Sequence, residues 1–391
     1  MDTNVKVLFG SGIFSAFILG VFELLFPFYL EYRGVSLVGM GLIFSISTLL
    51  ISFLRIFLGE YADVYGRKKV YLASSAVGVV AKSVFPFSAH ELPILVSKFL
   101  DDLEANLRMS VHNLMLYENA RKAYAKLFSW FTAANFIFQA MGNLSFAFLL
   151  VYFGYSNFFF LLATLEAVRF FILPFYTEAK KEKPAERISL REAYSFRFGR
   201  NLTVLSLSSA VGALGFGIAH GFLLPLYFVG KLGLDAAQIS VVTAVHRLSF
   251  LTTPVAHRII GRLGLRRTYI LSISAYAVSF LTVGLVSVPI AIFVPIFLIH
   301  DLLGGGIGMT AMNVIMQDLI PDGTRGRQSN TFNAVQTPMV IIAPSIAGIL
   351  AARSWDLIFI AGGLLYVVSL LVFCLFFKSE DHALPSTELE T

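Results

Sequence analysis

The chain has 391 residues, of which 57% are hydrophobic and 14% are charged, and its net charge is +6. A soluble protein needs far more surface charge, so this composition excludes a soluble globular protein and indicates a chain that lies in a lipid bilayer. The basic excess then concerns which loops face the cytoplasm, rather than binding to nucleic acid. The single cysteine, Cys374, excludes an internal disulfide framework and a thiolate metal cluster.

Apolar runs predict twelve membrane-spanning helices, because about 20 apolar residues are needed to cross the hydrocarbon core. In chain order the predicted spans are 6–30, 38–58, 70–88, 92–115, 127–152, 156–177, 201–229, 236–257, 268–287, 289–315, 328–352 and 356–377. The first apolar run has no small-residue cleavage site, so we interpret it as a retained span and not as a signal peptide. We therefore expect an all-α membrane protein.

The predicted spans divide into two groups of six, separated by the only long polar connection. We expect a first six-helix half at 1–177, a cytoplasmic linker at 178–200, a second half at 201–377 and a cytoplasmic tail at 378–391. The stretch FPFYLEYRGVS from Phe26 is repeated as LPLYFVGKLGLD from Leu224. The repeat also matches Gly34 with Gly233, Gly66 with Gly264 and Asp101 with Asp301. A repeat of this kind predicts two pseudo-symmetric halves of the same orientation.

The lysines and arginines are distributed unequally between the two sides of the predicted spans. Of the 30, 21 fall on one side, three on the other and six within spans. Basic residues are retained on the cytoplasmic side, so this bias predicts a multi-pass protein of the plasma membrane with both termini in the cytoplasm.

The loop between the second and third spans reads GEYADVYGRKK, residues 59–69. Its glycines allow helix ends to approach closely, while a carboxylate and a basic cluster at opposing helix ends can form a charged latch. The stretch resembles the cytoplasmic signature of the major facilitator superfamily, Gly-x-Leu-Ala-Asp-Arg-x-Gly-Arg-Lys, with Tyr61 and Val64 as departures. The resemblance implies the fold of that superfamily and a role for Asp63 and Arg67 in holding an outward-open state. We expect the conformational latch to comprise Gly59, Asp63, Gly66 and Arg67.

The fourth predicted span carries five charges within KFLDDLEANLRMSVHN, residues 98–113. A charge at mid-bilayer costs at least about 2.5–3.5 kcal/mol, so this helix cannot expose them all to lipid. At 100° per residue Asp101, Glu104 and Arg108 share one face, and Lys98 can pair with Asp101 or Asp102 one turn away. By the resemblance, the first, fourth, seventh and tenth spans surround a central cavity. The predicted substrate or proton path therefore comprises Glu23, Lys98, Asp101, Asp102, Glu104, Arg108, Arg247 and Asp301.

Two interpretations of these charges stay open: they line the path of a solute or proton, or they neutralise one another in a wet cavity. Our hypothesis for the first is that Asp101 changes protonation during transport. Other groups within spans have simpler explanations. Glu166 and Arg169 are predicted to pair on a peripheral helix, and Lys82 is predicted to extend its charge to the membrane surface. The histidines His220, His246 and His300 are interpreted as polar packing.

These patterns predict a secondary active transporter that moves a small solute by rocker-switch alternating access, coupled to protons and functional as a monomer. The alternatives are a carrier of divalent metals, with ligands drawn from Asp101, Asp102, Glu104, His112, His300 and Asp301, a carrier of organic cations, or a drug exporter. No phosphate-binding loop is present, so the sequence gives no sign of an ATP-driven pump. A membrane-embedded enzyme is less favoured, since no His-Glu-x-x-His or Gly-x-Ser-x-Gly motif is present, and a lipid-moving protein of the same fold is the other less favoured alternative. We expect no cofactor and no resident metal.

Overall fold

The structure is a computed structural model that describes residues 2–119, 124–178, 198–287, 289–320 and 325–378. Within these ranges the side chains of 55–65, 110, 124–126, 129, 253–254, 325–327 and 330 are not described. The described residues form α-helices joined by short turns and contain no β-strand. The predicted all-α fold is therefore confirmed.

Fourteen α-helices follow one another along the described chain. They are α1 (Thr3–Tyr32), α2 (Leu37–Tyr65), α3 (Arg67–Val84), α4 (Glu91–Asn119), α5 (Tyr124–Ile172), α6 (Arg200–Ala219), α7 (Leu224–Gly230), α8 (Ala236–Ser249), α9 (Ala256–Leu263), α10 (Leu265–Leu285), α11 (Ile290–Ile299), α12 (Met309–Leu319), α13 (Arg325–Arg353) and α14 (Trp355–Phe376). Short 3₁₀ segments lie at Phe85–Phe87, Leu173–Phe175 and Phe250–Val255, and a π-helical segment, His300–Gly308, joins α11 to α12.

Nine helices among the described residues are long and apolar enough to cross a membrane, and a tenth is added if the bent pair Ala236–Thr252 and Ala256–Leu263 is one span. One of the nine, Trp130–Phe175, contains a non-helical break at Gly154, where two of the predicted spans meet. Helix α4 has 29 residues, but its charges keep it out of this set. The multi-pass membrane fold is confirmed, and the count of twelve stays a prediction.

Glycines with positive φ mark the turns that the sequence repeat matches. Gly34 and Gly233 have φ values of 72° and 66°, and Gly66 and Gly264 have values of 93° and 77°. A side chain at these angles is strained, which explains why glycine occurs at both copies of each turn. The matched positions of the two halves therefore share their backbone conformation as well as their residue type.

Two predicted spans of the second half are not regular α-helices throughout. The seventh consists of α6 and α7 with a break at residues 220–223. The tenth contains the π-helical segment. The Ser272 hydroxyl of α10 donates a 2.7 Å hydrogen bond to the carbonyl of Leu303 in this segment. Side-chain hydroxyls satisfy backbone groups that an irregular helix leaves open, and π-helical turns are frequent at functional sites.

Contact density groups the chain into two units. The first contains the described part of 1–188 together with 220–248 and 341–355, and the second contains the described part of 189–219, 249–340 and 356–391. The predicted boundaries of the two halves and the linker stay a prediction.

Close helix crossings hold the first unit together. A Cβ atom on Gly20 of α1 would lie 2.1 Å from the Gln139 carbonyl oxygen of α5, and one on Gly142 would lie 2.4 Å from the Phe17 oxygen. The same relation joins α2 to the end of α13, where a Cβ on Gly41 would lie 2.4 Å from the Pro344 oxygen. Small residues permit such backbone contact. Between membrane helices this close packing drives association, because burying apolar side chains away from apolar lipid gains no free energy.

Candidate functional site

An ion-pair network lies inside the first unit and joins α3, α4 and α5. Arg169 Nη2 lies 2.6 Å from Glu104 Oε1 and 2.8 Å from Glu166 Oε2. Arg108 Nε approaches the same Glu104 oxygen at 3.1 Å. Arg169 is fully buried and Glu166 is 1% exposed. Because a buried charge is costly without a partner, these contacts explain how the helices tolerate the charges in an apolar chain.

Lys82 is the third base of this network. Its Nζ atom lies 2.5 Å from Asp101 Oδ1 and 3.6 Å from Glu166 Oε1. The side chain is 2% exposed, so the prediction that Lys82 reaches the membrane surface was wrong. The physical reason is that α3 packs against both α4 and α5, which supply two carboxylates within the reach of the lysine. We call these six residues the charged network: Lys82, Asp101, Glu104, Arg108, Glu166 and Arg169.

Polar side chains of α1 and α3 support the network. The Arg169 Nη1 group donates a 2.6 Å hydrogen bond to the Ser15 hydroxyl, which donates in turn to the Ser11 carbonyl at 3.1 Å. The Tyr71 hydroxyl lies 2.9 Å from Ser11 Oγ and 2.8 Å from His112 Nδ1. These contacts fix the arginine in one geometry and extend the polar interior through α1.

A cavity of about 40 Å³ opens beside the network. Its polar lining consists of Ser15, Lys82, Asp101, Glu104, Arg108 and Glu166, and its apolar wall includes Phe22. A polar cavity of this size holds a small number of water molecules. Five of the six charged residues line this cavity, and the three acids and three bases of the network balance in charge, so the site can exchange partners or accept a proton.

Two of the predicted path residues, Lys98 and Asp102, form a separate pair on α4. The lysine Nζ contacts Asp102 Oδ1, so the predicted pairing within the helix is present. Ser47 Oγ of α2 lies 2.5 Å from the other carboxylate oxygen. The ammonium also lies 5.1 Å from the centre of the Phe44 ring and 6.0 Å from that of Phe26, which is within the range of cation–π attraction. The charges of α4 thus divide between a face toward α2 and the charged network.

Glu23 and Arg247, both predicted path residues, form an ion pair within the first unit. Arg247 Nε lies 3.1 Å from Glu23 Oε2, and a second nitrogen contacts Oε1, so the pair is bidentate. The Arg247 side chain is 19% exposed and that of Glu23 is 31% exposed. Next to Arg247 on α8, His246 Nε2 lies 2.7 Å from Nε2 of His220. Sequence spacing did not unite these histidines, because the break between α6 and α7 decides where His220 lies.

Asp301 occupies the second unit, in the π-helical segment. Asp301 Oδ1 lies 3.1 Å from His300 Nε2, and both side chains are fully buried. The His300 ring lies among aromatic rings, with centroids 5.4 Å from Tyr276 and 5.0 Å from Phe280. The environment of this aspartate is therefore aromatic, in contrast to that of Asp101.

The structure describes the side chains of only part of the cytoplasmic signature, residues 59–69. Gly59 and Asp63 belong to α2, but their side chains lie outside the described residues. Arg67 contacts the Glu118 carboxylate at the end of α4. Its backbone N–H donates a 2.6 Å hydrogen bond to Glu178 Oε1, which supplies the cap that Gly66 at the start of α3 cannot provide.

Sequence reasoning missed three members of the network. Glu166 and Arg169 were predicted to pair, which is confirmed, but they are joined to α3 and α4 as well. The charges within the predicted spans could have indicated the network. A buried Lys82 and a buried Arg169 each require a carboxylate partner, and α4 carries several acids.

A family model described as Major Facilitator Superfamily matches residues 8–344 and, in a second match, residues 205–390. The chain belongs to this superfamily. It is a multi-pass membrane transporter of that family, as the resemblance predicted. A comparison with curated proteins finds no match for the sequence.

Solved structures of transporters share the fold. A mutant of the nucleoside transporter NupG superposes with a TM-score of 0.81 at 14% identity, covering 96% of this chain and 100% of that chain. A bacterial homologue of the iron transporter ferroportin in an inward-facing state gives 0.76 at 16% identity, with coverage of 96% and 98%. A bacterial metal transporter gives 0.72 at 15% identity, with coverage of 97% and 99%. At these identities the similarity concerns the fold alone.

Proposed function

We propose that this transporter is a secondary active carrier that moves a small solute by alternating access and is driven by the proton gradient. The observation that supports the proposal is the charged network beside a polar cavity within the membrane-spanning part of the first unit. Ionisable groups within a membrane protein's interior commonly mark the paths of ions and solutes.

The geometry supports partner exchange as the mechanism of coupling. Asp101 is held by Lys82, and Glu104 by two arginines. A solute or a proton that binds one carboxylate therefore competes with a base on another helix. Each binding event changes the attraction between α3, α4 and α5, and the helices respond by shifting between packed arrangements.

The proposed path comprises the charged residues of α1, α4, α8 and the π-helical segment: Glu23, Lys98, Asp101, Asp102, Glu104, Arg108, Arg247 and Asp301. The proposed cytoplasmic latch comprises Gly59, Asp63, Gly66 and Arg67. We place the protein in the plasma membrane with both termini in the cytoplasm and propose that it works as a monomer. The transporters of known structure that share the fold support a role in transport and not in catalysis.

A transport assay tests this proposal. Proteoliposomes on a sensor-supported membrane receive nucleosides, organic cations, organic anions, neutral solutes and divalent metals under an imposed pH gradient. We expect a current for one solute class that requires the gradient and is absent from Asp101→Asn, because the variant leaves Lys82 without its nearest carboxylate. Failure of every class, in currents and in solute counterflow alike, would refute the proposal.

A divalent-metal carrier is the second candidate. It is favoured by the two imidazole nitrogens of His220 and His246, which lie 2.7 Å apart within the first unit, and imidazole suits first-row transition metals. The acids of the charged network support it less, because each already contacts a base. Calorimetric titration of the purified transporter with Mn²⁺ distinguishes the two: saturable binding that is lost in His246→Ala favours the metal carrier, and its absence removes this candidate.

A further inference from the structure

Glu166 differs from the other two acids of the charged network. Glu104 accepts hydrogen bonds from two guanidinium groups and Asp101 accepts one from Lys82. Glu166 is 1% exposed, yet its Oε2 atom accepts no hydrogen bond from any described residue, although Arg169 Nη2 approaches within 2.8 Å. A carboxylate oxygen can accept more than one hydrogen bond, so this atom, held by the ion-pair contact with Arg169, can take a further partner.

Glu166 also lines the cavity, which can supply a partner besides the bases of the network. The titratable and charged groups around the carboxylate are Lys82 from α3, Asp101, Glu104 and Arg108 from α4, and Arg169 from its own helix, while α1 contributes the uncharged Ser15. The Tyr71 hydroxyl bonds to Ser11 and to His112, and neither Tyr71 nor His112 lines the cavity. Glu166 therefore borders the cavity directly.

The charge of this site selects among possible ligands. Three bases surround the carboxylate, so a metal cation entering the cavity is repelled by Lys82, Arg108 and Arg169. An anion meets three carboxylates in a space of about 40 Å³. A proton needs no room, and on Oε2 it turns the oxygen into a donor that can bond to a cavity water.

We propose that Glu166 is the group that binds and releases the coupling proton, while Asp101 and Glu104 stay ionised as the partners of Lys82 and the arginines. This inference rests on the proposed proton-driven transport. The proton comes from cavity water, forms an O–H bond at Oε2, and returns to water when the cavity opens to the other side. While it is bound, the network carries one extra positive charge, and the attraction that Lys82 and Arg169 exert on Glu166 is reduced. The bond between α3 and α5 therefore loosens with each proton.

Infrared difference spectroscopy tests the proposal without any solute. Purified transporter in lipid is titrated from alkaline to acidic pH, and the carbonyl-stretch band of a buried protonated carboxyl group is recorded. We expect the band in the wild type, in Asp101→Asn and in the matched control Asp102→Asn, whose carboxylate lies outside the cavity lining. We expect its loss in Glu166→Gln and a shifted frequency in Glu166→Asp. A band that persists in Glu166→Gln overturns the inference. If that variant does not fold, an unshifted band in Glu166→Asp does so.

Transport assays separate this inference from the proposed function. In proteoliposomes Glu166→Gln should retain solute counterflow and lose all accumulation driven by the pH gradient, since the variant stays permanently neutral. Retained accumulation overturns the role of Glu166. Absence of counterflow in the wild type for every solute class instead overturns the proposed function, and the infrared result still decides whether Glu166 binds a proton.

Discussion

The two units contain corresponding positions with opposite chemistry. The spacing that relates Gly66 to Gly264 also relates Lys82 to Phe280. The spacing that relates Asp101 to Asp301 relates Glu166 to Tyr366. Where the first unit has an ion-pair network, the second therefore has aromatic packing.

The aromatic rings of the second unit form a compact stack. Tyr276 and Tyr366 are nearly parallel, with centroids 4.4 Å apart, and Phe280 meets the Tyr366 ring edge-on at 5.8 Å. In each unit a glycine also leaves room for the side chains packed against it. A Cβ on Gly78 would lie 2.9 Å from Glu104 Cγ, and one on Gly304 would lie 2.3 Å from the Tyr276 ring.

This difference shows that a repeated backbone turn does not bring the same side-chain chemistry to the interior of both units. The stacked rings of Tyr276, Phe280 and Tyr366 place no carboxylate or base at the positions matched to Lys82 and Glu166, and the buried acid beside the stack, Asp301, pairs with His300. Proton coupling, as we propose it, therefore belongs to the first unit, and the second unit is expected to act as a more rigid body.

The largest expected effect comes from removing the base at the centre of the network. Arg169→Met removes the arginine of Glu166 and one of the two arginines of Glu104, and we expect the free energy of unfolding to fall by about 3–5 kcal/mol. Chemical unfolding of the purified protein in detergent measures it. Arg247→Met is the matched control, because its partner Glu23 is more exposed, and should cost up to about 1 kcal/mol. Equal losses in the two variants would contradict a structural role for the network.

A smaller effect is expected from the glycines, and it compares the rigidity of the two units. Gly304→Ala should destabilise the protein by about 1–3 kcal/mol, because the Tyr276 ring is held in its stack and cannot withdraw. Gly78→Ala should cost less, since its neighbours are the flexible side chains of Glu104 and Glu166. Thermal unfolding of both variants provides the test.

The control for the glycine series is Gly10→Ala in α1. No atom lies within 4 Å of a Cβ at this position, and alanine favours a helix over glycine. This variant should be neutral or slightly stabilising. A Gly78→Ala variant that is less stable than Gly304→Ala would show that the charged network is the more rigid of the two interiors.

The smallest effect is expected at the cytoplasmic end of the first unit. Arg67 and Glu118 form an ion pair whose side chains are 15% and 41% exposed. Glu118→Gln should lower the free energy of unfolding by up to about 1 kcal/mol at low ionic strength, and salt should remove the difference. Unfolding measured at low and high salt checks this, and a large loss that is insensitive to salt would show that the pair is a buried element like the network.

Much of the fold could be predicted because its signals are local. Long apolar runs indicate membrane helices, and the matched glycines at 34 and 233 indicate a repeated turn with positive φ. The interior was harder to predict. Lys82 lies near the end of its helix, so reaching the surface was a reasonable expectation, and only the packing of α3 against α4 and α5 shows that it is buried.

By itself the sequence determined that this protein is a helical membrane transporter built from a repeated half, since apolar length and glycine turns depend on neighbouring residues. It also determined that α4 must keep its charges away from lipid. Only the tertiary structure decided which acid meets which base, because Lys82, Glu104, Glu166 and Arg169 are brought together by the rotation and depth of three packed helices. A contact between residues distant in the chain depends on those angles, which no local sequence pattern specifies.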